Sequence, residues 1–181
     1  MPKKIIAFVG ETGSGKDTIC NIFQKNFNSL LLLRFSDPLT SSLGLFFDKI
    51  KKEDQQWLAS TMRDRFGEDV LMIALAKKIK STKEEIIILN GMRVKEEFDF
   101  VKKMGGIVIY VSAPAKIRWE RIRNRGEKSD DSASFEKFLE IDKGRPEAQI
   151  KEIGKKADII IDNSKTLKEL EEEVEKIIRE I

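Results

Sequence analysis

A glycine-rich segment near the N-terminus carries the residues best suited to chemistry. Residues 10–16 read Gly-Glu-Thr-Gly-Ser-Gly-Lys and directly follow an apolar run at 5–9. The spacing G-x-x-x-x-G-K between a strand and a helix is typical of a phosphate-binding loop. Backbone N–H groups of such a loop, with the positive end of the following helix, hold phosphate oxygens. The sequence therefore predicts a nucleoside triphosphate site built from Gly10, Thr12, Gly13, Ser14, Gly15 and Lys16.

The residues after this lysine depart from the usual pattern. Ser or Thr normally follows the lysine and supplies a hydroxyl to Mg²⁺. Here Asp17 follows Lys16, and Thr18 comes next. We therefore expect Lys16 to neutralise the terminal phosphates and Asp17 and Thr18 to serve the metal.

Arginines follow other apolar runs along the chain. Arg34 stands near the end of the run at 30–35, and Arg93 comes shortly after the run at 85–90. Ligands of parallel α/β sheets bind at the carboxyl ends of the strands. Both arginines are therefore candidates for contacts with a phosphate, as is Arg65 ahead of the Gly67 turn. For Arg65 a solvated charge cluster is the alternative.

Asp37 lies in the segment Ser36-Asp37-Pro38 after the second apolar run. Its carboxylate could accept a hydrogen bond from a hydroxyl or amine of a second substrate. The alternative is structural: Ser36 or Asp37 caps a helix whose first residue is Pro38. The two roles are compatible.

A row of arginines occupies the segment 115–125. Arg118, Arg121 and Arg125 are spaced three and four residues apart, so they share one face of a helix. The polar segment 126–134 follows directly. A basic face that ends in a mobile loop could close over phosphates. The alternative is a solvated basic face, which we favour for Arg123, a residue off the row.

The elements that must position these residues alternate along the chain. Continuous β-branched runs predict strands covered on both faces at 4–9, 30–35, 85–90, 107–112 and 158–162. Apolar residues at helical spacing predict helices at 18–27, 68–80, 115–125 and 166–181. The last helix opens with a capping box formed by Thr166 and Glu169. This alternation predicts one parallel α/β domain over 1–181.

Composition excludes several classes of function. The 181 residues include 36% charged residues of both signs, with a net charge of only +3, which argues against nucleic-acid binding. No apolar run approaches the length of a membrane span, and the first strand leaves no space for a signal peptide, so we expect a cytoplasmic protein. The chain has no histidine, which excludes Ser-His-Asp and Cys-His catalysis. Its single cysteine, Cys20, reads as a small buried hydrophobe.

Taken together, these motifs resemble the nucleotide-kinase branch of the P-loop fold over nearly the whole chain. Phage-type deoxynucleoside monophosphate kinases resemble the segments 15–18 and 35–39 and the set Gly91, Arg93 and Glu97. Dephospho-coenzyme A kinases resemble the ending at 157–163. Small archaeal adenylate-kinase-like proteins share the Gly-x-Arg and Ser-Asp-Asp segments. No single subfamily has the whole pattern.

The resemblance implies a three-layer α/β/α fold with a five-stranded parallel sheet, an acceptor-binding helical insert at 38–66 and a lid at 126–145. It implies ATP and Mg²⁺ as cofactors, with Arg121 near the adenine or α-phosphate. Lys16, Arg93 and Arg125 would act on the transferring phosphoryl group and the acceptor phosphate. Arg34 and Arg65 would assist Arg93, with Asp37 on the sugar or base side of the acceptor. Glu97 would orient Arg93 by charge pairing.

The expected function is transfer of the γ-phosphate of ATP to a nucleotide-like acceptor, a (deoxy)nucleoside monophosphate in the first reading. One alternative is a dephospho-coenzyme A kinase, and another is a P-loop ATPase or regulator without a small acceptor. Asn90 stands where many relatives carry a strand-end Asp, so Asp17 could take over that role at the metal. A monomer and a homodimer both stay open, and no membrane partner is expected.

Overall fold

A five-stranded sheet forms the centre of the molecule. The computed structural model describes residues 3–125 and 133–181, without the side chains of 145–148. The strands are β1 Lys4–Val9, β2 Leu30–Arg34, β3 Ile86–Met92, β4 Ile107–Ser112 and β5 Ile159–Asp162. Their order is β2-β3-β1-β4-β5, and every neighbouring pair is parallel. All carboxyl ends therefore meet at one edge, where the loop after β1 occupies the middle position.

Helices cover both faces of this sheet. In the described part of the chain they are α1 Lys16–Asn26, α2 Asp37–Gly44, α3 Lys52–Phe66, α4 Val70–Ser81, α5 Lys95–Lys103, α6 Ala115–Arg125, α7 Phe135–Asp142, α8 Arg145–Gly154 and α9 Leu167–Glu180. One apolar cluster joins the sheet to α4, α5 and α8, and the other joins it to α1 and α9. The predicted three-layer α/β/α fold is thus confirmed. No helix among the described residues is long and apolar enough to cross a membrane.

Burial on both faces explains the continuous apolar strands. Ile5, Ala7 and Val9 point into one cluster, while Ile6 and Phe8 point into the other. Side chains of a strand alternate between faces, so a strand covered on both sides needs apolar residues at every position. All five strands lie within two residues of their predicted bounds. Cys20 is buried in the second cluster, as predicted, and burial raises the pKa of its thiol to about 12.

Helix ends match the sequence at α9 but not at α2. Thr166 and Glu169 form the predicted capping box, with Thr166 N donating to Glu169 Oε2 at 3.0 Å. At α2, neither Ser36 nor Asp37 makes the expected side-chain cap within the described structure. Asp37 Oδ2 instead accepts the backbone N–H of Arg34 at 2.7 Å. Its carboxylate therefore closes the turn that follows β2, and the capping alternative is wrong.

Candidate active site

The loop between β1 and α1 has the conformation of a phosphate-binding loop. Gly13 and Gly15 adopt φ of +82° and +98°, which only glycine tolerates easily. Ser14 N donates to Glu11 O at 3.1 Å and so closes a tight turn. Lys16 Nζ lies over the loop and donates to Gly10 O at 2.6 Å and to Glu11 O at 3.0 Å. The ammonium group is thus held above the backbone that would surround a phosphate.

The buried side of this loop is packed tightly. A methyl group at Gly13 would lie 2.7 Å from the carbonyl oxygen of Arg118, and one at Gly15 would overlap the amide nitrogen of Asn163. Glu11, 4% exposed, accepts the hydroxyl of Tyr110 at 2.9 Å. Burial, followed by the Glu11 charge, raises the pKa of Tyr110 above its usual range. Contacts from β4, α6 and the end of β5 therefore surround the loop.

Replacing Gly15 by Ala separates this packing from backbone strain. We expect Gly15→Ala to weaken ATP binding at least about tenfold, because the new methyl group displaces Asn163. The matched control is Gly105→Ala, whose φ is +73° but whose methyl group would meet nothing within 4 Å. Both variants carry a left-handed backbone strain of roughly 1 kcal/mol. Calorimetric titration measures the ATP affinity of the two variants, and thermal melts measure their stability. Equal ATP affinity in the two variants would contradict the expected effect of the Gly15 methyl group.

A cavity of about 180 Å³ opens beside the loop on the β5 side. It is lined by Gly15, Thr18, Arg121, Asn163, Leu167 and Leu170. Arg121 Nη2 donates to Asn163 O at 3.0 Å, while Nη1 is buried and has no hydrogen-bond partner in the described structure. Burial lowers the pKa of this guanidinium. A buried donor without a partner costs free energy, so the cavity favours a ligand that offers a hydrogen-bond acceptor.

Asn163 is a site residue to which the sequence reasoning assigned no role. It is 5% exposed, and its Nδ2 donates to Ser14 O at 2.8 Å across 149 residues of sequence. Its position directly after the last strand was the available signal. The carboxyl-end rule that singled out Arg34 and Arg93 applies equally to this amide.

On the other side of the loop, Asp17 contacts two neighbouring strands. Its Oδ1 accepts a hydrogen bond from Asn90 Nδ2 at 2.8 Å and lies 3.5 Å from Arg34 Nη2. Asn90 is 4% exposed, and its Oδ1 is buried with no partner in the described structure. The two departures from the usual pattern, at positions 17 and 90, are therefore one contact in space.

The oxygen donors around Asp17 fit a magnesium ion. Mg²⁺ binds through one or two carboxylate groups, phosphate oxygens and water. The Asp17 carboxylate is 70% exposed, and the partnerless Oδ1 of Asn90 lies on the adjoining residue. Among the described residues no group of three or more Cys, Asp or Glu could hold a metal by itself. Thr18, the other predicted metal residue, lines the cavity on the β5 side.

Arg93 follows β3 directly and is exposed, at the same edge as Arg34. The Glu97 carboxylate accepts the backbone N–H of Arg93 at 2.6 Å and that of Val94 at 3.3 Å. Burial raises the pKa of Glu97, while these two hydrogen bonds and the charges of Arg63 and Arg93 oppose the shift. Glu97 therefore fixes the backbone from which Arg93 projects, which is a more direct link than the predicted charge pair.

Two other predicted residues, Arg65 and Arg125, do not contact Asp17, Arg34 or Asn90. Arg65 is exposed near the end of α3 and forms no ion pair with the described residues. Arg125 is the last residue of α6 and is also exposed. Residues 126–132 of the predicted lid lie outside the described residues. The structure thus brings Asp17, Arg34 and Asn90 into contact but does not bring Arg65 or Arg125 to them.

Arg118 does not belong to a solvent-facing row. It is 2% exposed, and its two terminal nitrogens donate to the two carboxylate oxygens of Asp142, each at 2.7 Å. Burial alone would raise the pKa of Asp142, but these bonds hold it below its usual value. Because α7 covers this part of α6, the interpretation of Arg118 as a lid residue is wrong.

Comparison with known proteins places the chain in a family. The model of the AAA domain matches residues 6–151. A UPF0200 protein of Sulfurisphaera tokodaii is 30% identical over 98% of this chain and 97% of its own length. A UPF0200 protein of Pyrobaculum aerophilum is 31% identical over 98% of each chain.

Solved structures share the fold at low sequence identity. TT1252 from Thermus thermophilus has a TM-score of 0.63 and 20% identity, covering 100% of this chain and 99% of its own. Shikimate kinase from Bacteroides thetaiotaomicron has a TM-score of 0.64 and 15% identity, covering 98% and 99%. The chain therefore shares the three-layer α/β/α fold of these proteins, as predicted. With the AAA domain match and the full-length relatives, the chain belongs to the AAA domain family and to the UPF0200 proteins.

Proposed function

We propose that this protein transfers the γ-phosphoryl group of ATP to a small phosphate-bearing acceptor, most simply a (deoxy)nucleoside monophosphate. One observation carries the proposal: the phosphate-binding loop has a separate set of cationic side chains on each side. Arg121 lies toward β5, and Arg34 and Arg93 lie toward β2 and β3. ATP hydrolysis alone would need only one of these sets.

The β5 side suits the nucleoside end of ATP. Its cavity combines the half-buried guanidinium of Arg121 with the apolar side chains of Leu167 and Leu170. A planar guanidinium stacks on aromatic rings, and apolar walls favour a base over water. We place the adenine here, with its phosphates extending over the N-terminus of α1.

The β2 and β3 side suits the acceptor. Arg34 and Arg93 project from the ends of neighbouring strands, and guanidinium groups bind phosphate through paired N–H donors. The predicted insert at 38–66 corresponds to α2 and α3, directly after β2. Arg65 from this insert and Asp37, directly before it, would complete the acceptor site.

Catalysis would rest on position and charge. The Asp17 carboxylate would hold Mg²⁺, and the chemistry that the metal would supply is neutralisation of phosphate charge. Lys16 and Arg125 would stabilise the negative charge that develops on the transferring group. The acceptor oxygen attacks the γ-phosphorus while the bond to the β-phosphate oxygen breaks, so no covalent enzyme intermediate is needed.

A screen for ADP release tests the proposal. Purified protein is given Mg·ATP with each common mononucleotide, with dephospho-coenzyme A, with shikimate, or alone. We expect at least one phosphate-bearing acceptor to raise ADP release well above the rate with ATP alone. Hydrolysis that no acceptor stimulates favours an ATPase or regulator and contradicts the kinase proposal. Stimulation by dephospho-coenzyme A alone would identify a ribose hydroxyl as the acceptor.

Removing the carboxylate at position 17 and then introducing one at position 90 tests the proposed metal role of Asp17. We expect Asp17→Ala to raise the Mg²⁺ concentration needed for half-maximal turnover about tenfold, because it removes the carboxylate without supplying another oxygen ligand. Adding Asn90→Asp should restore much of the loss, since it returns a carboxylate to the residue 2.8 Å away. Magnesium titrations of turnover measure both effects. An unchanged magnesium requirement in Asp17→Ala removes Asp17 from the metal site.

A further inference from the structure

Two buried side chains hold backbone carbonyl groups of the phosphate-binding loop. Arg118 Nη1 donates to Thr12 O at 3.3 Å, and Asn163 Nδ2 donates to Ser14 O at 2.8 Å. Both donors are more than nine-tenths buried. Arg118 lies on α6 and Asn163 directly follows β5, so both donors are distant from the loop in the sequence.

Each donor is itself anchored by further contacts. Arg118 is fixed by the two Asp142 oxygens and by Ala113 O, which its Nε contacts at 3.0 Å. Asn163 donates its backbone N–H to Ser112 O at 2.8 Å, and its carbonyl oxygen accepts Arg121 Nη2. The side chains that donate to the two loop carbonyl groups are therefore themselves held in place.

Both of these carbonyl groups precede a glycine. In a planar trans peptide, the C=O of one residue and the N–H of the next point in opposite directions. Fixing Thr12 O toward Arg118 therefore turns the N–H of Gly13 away from α6. Fixing Ser14 O toward Asn163 likewise turns the N–H of Gly15 away from the buried side of the loop.

Because Gly13 and Gly15 are glycines, the orientation of the peptide groups before them has to be fixed by other residues. Gly13 and Gly15 adopt positive φ here, but glycine populates negative φ about as readily. A peptide that precedes glycine can therefore rotate at little steric cost, and rotation would present its carbonyl oxygen, instead of its N–H, to an anion. Such rotation would place negative partial charge against a phosphate.

We propose that Arg118 and Asn163 are positioning residues that set the Gly13 and Gly15 N–H groups toward bound phosphate before the nucleotide arrives. Asp142 acts through Arg118 in the same way. This inference rests on the proposed function in assuming that the loop binds the phosphates of ATP. It gives Arg118 and Asp142 a role outside the proposed nucleotide cavity, and it gives Asn163 a role besides lining that cavity.

Conservative variants separate positioning from packing. Arg118→Lys keeps the positive charge beside Asp142 but lacks the paired donors, and Asn163→Asp keeps the shape but replaces the donor with an acceptor. We expect each to weaken binding of inorganic tripolyphosphate and of ATP about tenfold, the loss expected for one hydrogen bond of this kind. The control is Lys102→Met, which breaks the 2.8 Å ion pair with Asp158 near the amino ends of β4 and β5.

Amide resonances give a readout that general loosening would not produce. In the wild type, tripolyphosphate should shift the Gly13 and Gly15 amide protons downfield. In Arg118→Lys the Gly13 shift should shrink while the Gly15 shift stays, and in Asn163→Asp the reverse should hold. Lys102→Met should keep both shifts even if its melting temperature falls.

The possible failures are distinct. A wild type that binds neither ATP nor tripolyphosphate overturns the proposed function, and this inference with it. A wild type that binds while both variants retain its affinity and both amide shifts overturns the inference alone. Equal loss of both shifts in both variants also overturns it, because that pattern indicates packing. If Arg118→Lys does not fold, the selective Gly15 loss in Asn163→Asp still decides the result.

Discussion

Lys16→Met should lower turnover by about 100- to 1,000-fold, a loss typical of removing one group that stabilises transition-state charge. The Lys16 ammonium already lies 2.6 Å from Gly10 O and 3.0 Å from Glu11 O, directly above the loop. When phosphates occupy the loop, it is the nearest side-chain cation from α1. ATP affinity should fall less than turnover, because negative charge on the transferring oxygens grows only during transfer.

Steady-state kinetics with saturating ATP, together with calorimetric ATP binding, measure this difference. The matched control is Lys25→Met, which removes an exposed lysine from the last turn of the same helix. We expect the control to behave as the wild type in both assays. If Lys16→Met loses ATP affinity and turnover by the same factor, Lys16 contributes to ground-state binding only.

The second large effect is expected at Arg93. Arg93→Ala should lower kcat/KM for the acceptor by about 100-fold, since a guanidinium that pairs with phosphate contributes several kcal/mol when partly shielded from water. The Kd of ATP should hardly change, because Arg93 extends from β3 and the cavity proposed for the nucleotide lies toward β5. Arg93→Lys should recover part of the loss by restoring the charge without the paired donors.

Arg123→Ala provides the matched control for this experiment. Arg123 lies on α6 with its guanidinium 4.8 Å from the ring centre of Trp119. Its removal should leave acceptor kinetics unchanged. An equal loss of ATP affinity and acceptor kcat/KM in Arg93→Ala would place Arg93 on the nucleotide side and contradict its assignment to the acceptor.

The sheet and the loop after β1 were predictable because their signals are local. Continuous apolar runs predicted all five strands, since burial on both faces removes polar residues from every position. The glycine spacing predicted a tight loop between β1 and α1, and the sequence of Thr166 and Glu169 predicted the cap of α9. Each of these features depends on residues that are close together in the chain.

The contacts that complete the site depend on strand order, which no local pattern contains. Asp17 meets Asn90 across 73 residues because β3 lies beside β1. Asn163 contacts Ser14 because it directly follows β5, which pairs with β4 on one side of β1. The sequence showed that positions 17 and 90 both departed from the usual pattern, but it could not show that they touch.

Arg118 illustrates a different limit. Helical spacing predicted that Arg118, Arg121 and Arg125 share one face of α6, but spacing does not reveal what covers a face. Asp142, 24 residues later, comes to lie against Arg118 and turns a presumed solvent-facing cation into a buried anchor. Arg121, one turn further, is half-buried at the cavity on the β5 side of the loop.

If the two sides of the loop hold two different substrates, a phosphoryl group passes from one side to the other. The most direct measurement follows the label from [γ-³²P]ATP in the presence of the acceptor that best stimulates ADP release. We expect the label to appear in the acceptor in proportion to the ADP formed, and we expect Arg93→Ala to slow this transfer about 100-fold while ATP still binds. Label that appears only as inorganic phosphate, whatever acceptor is added, would contradict it.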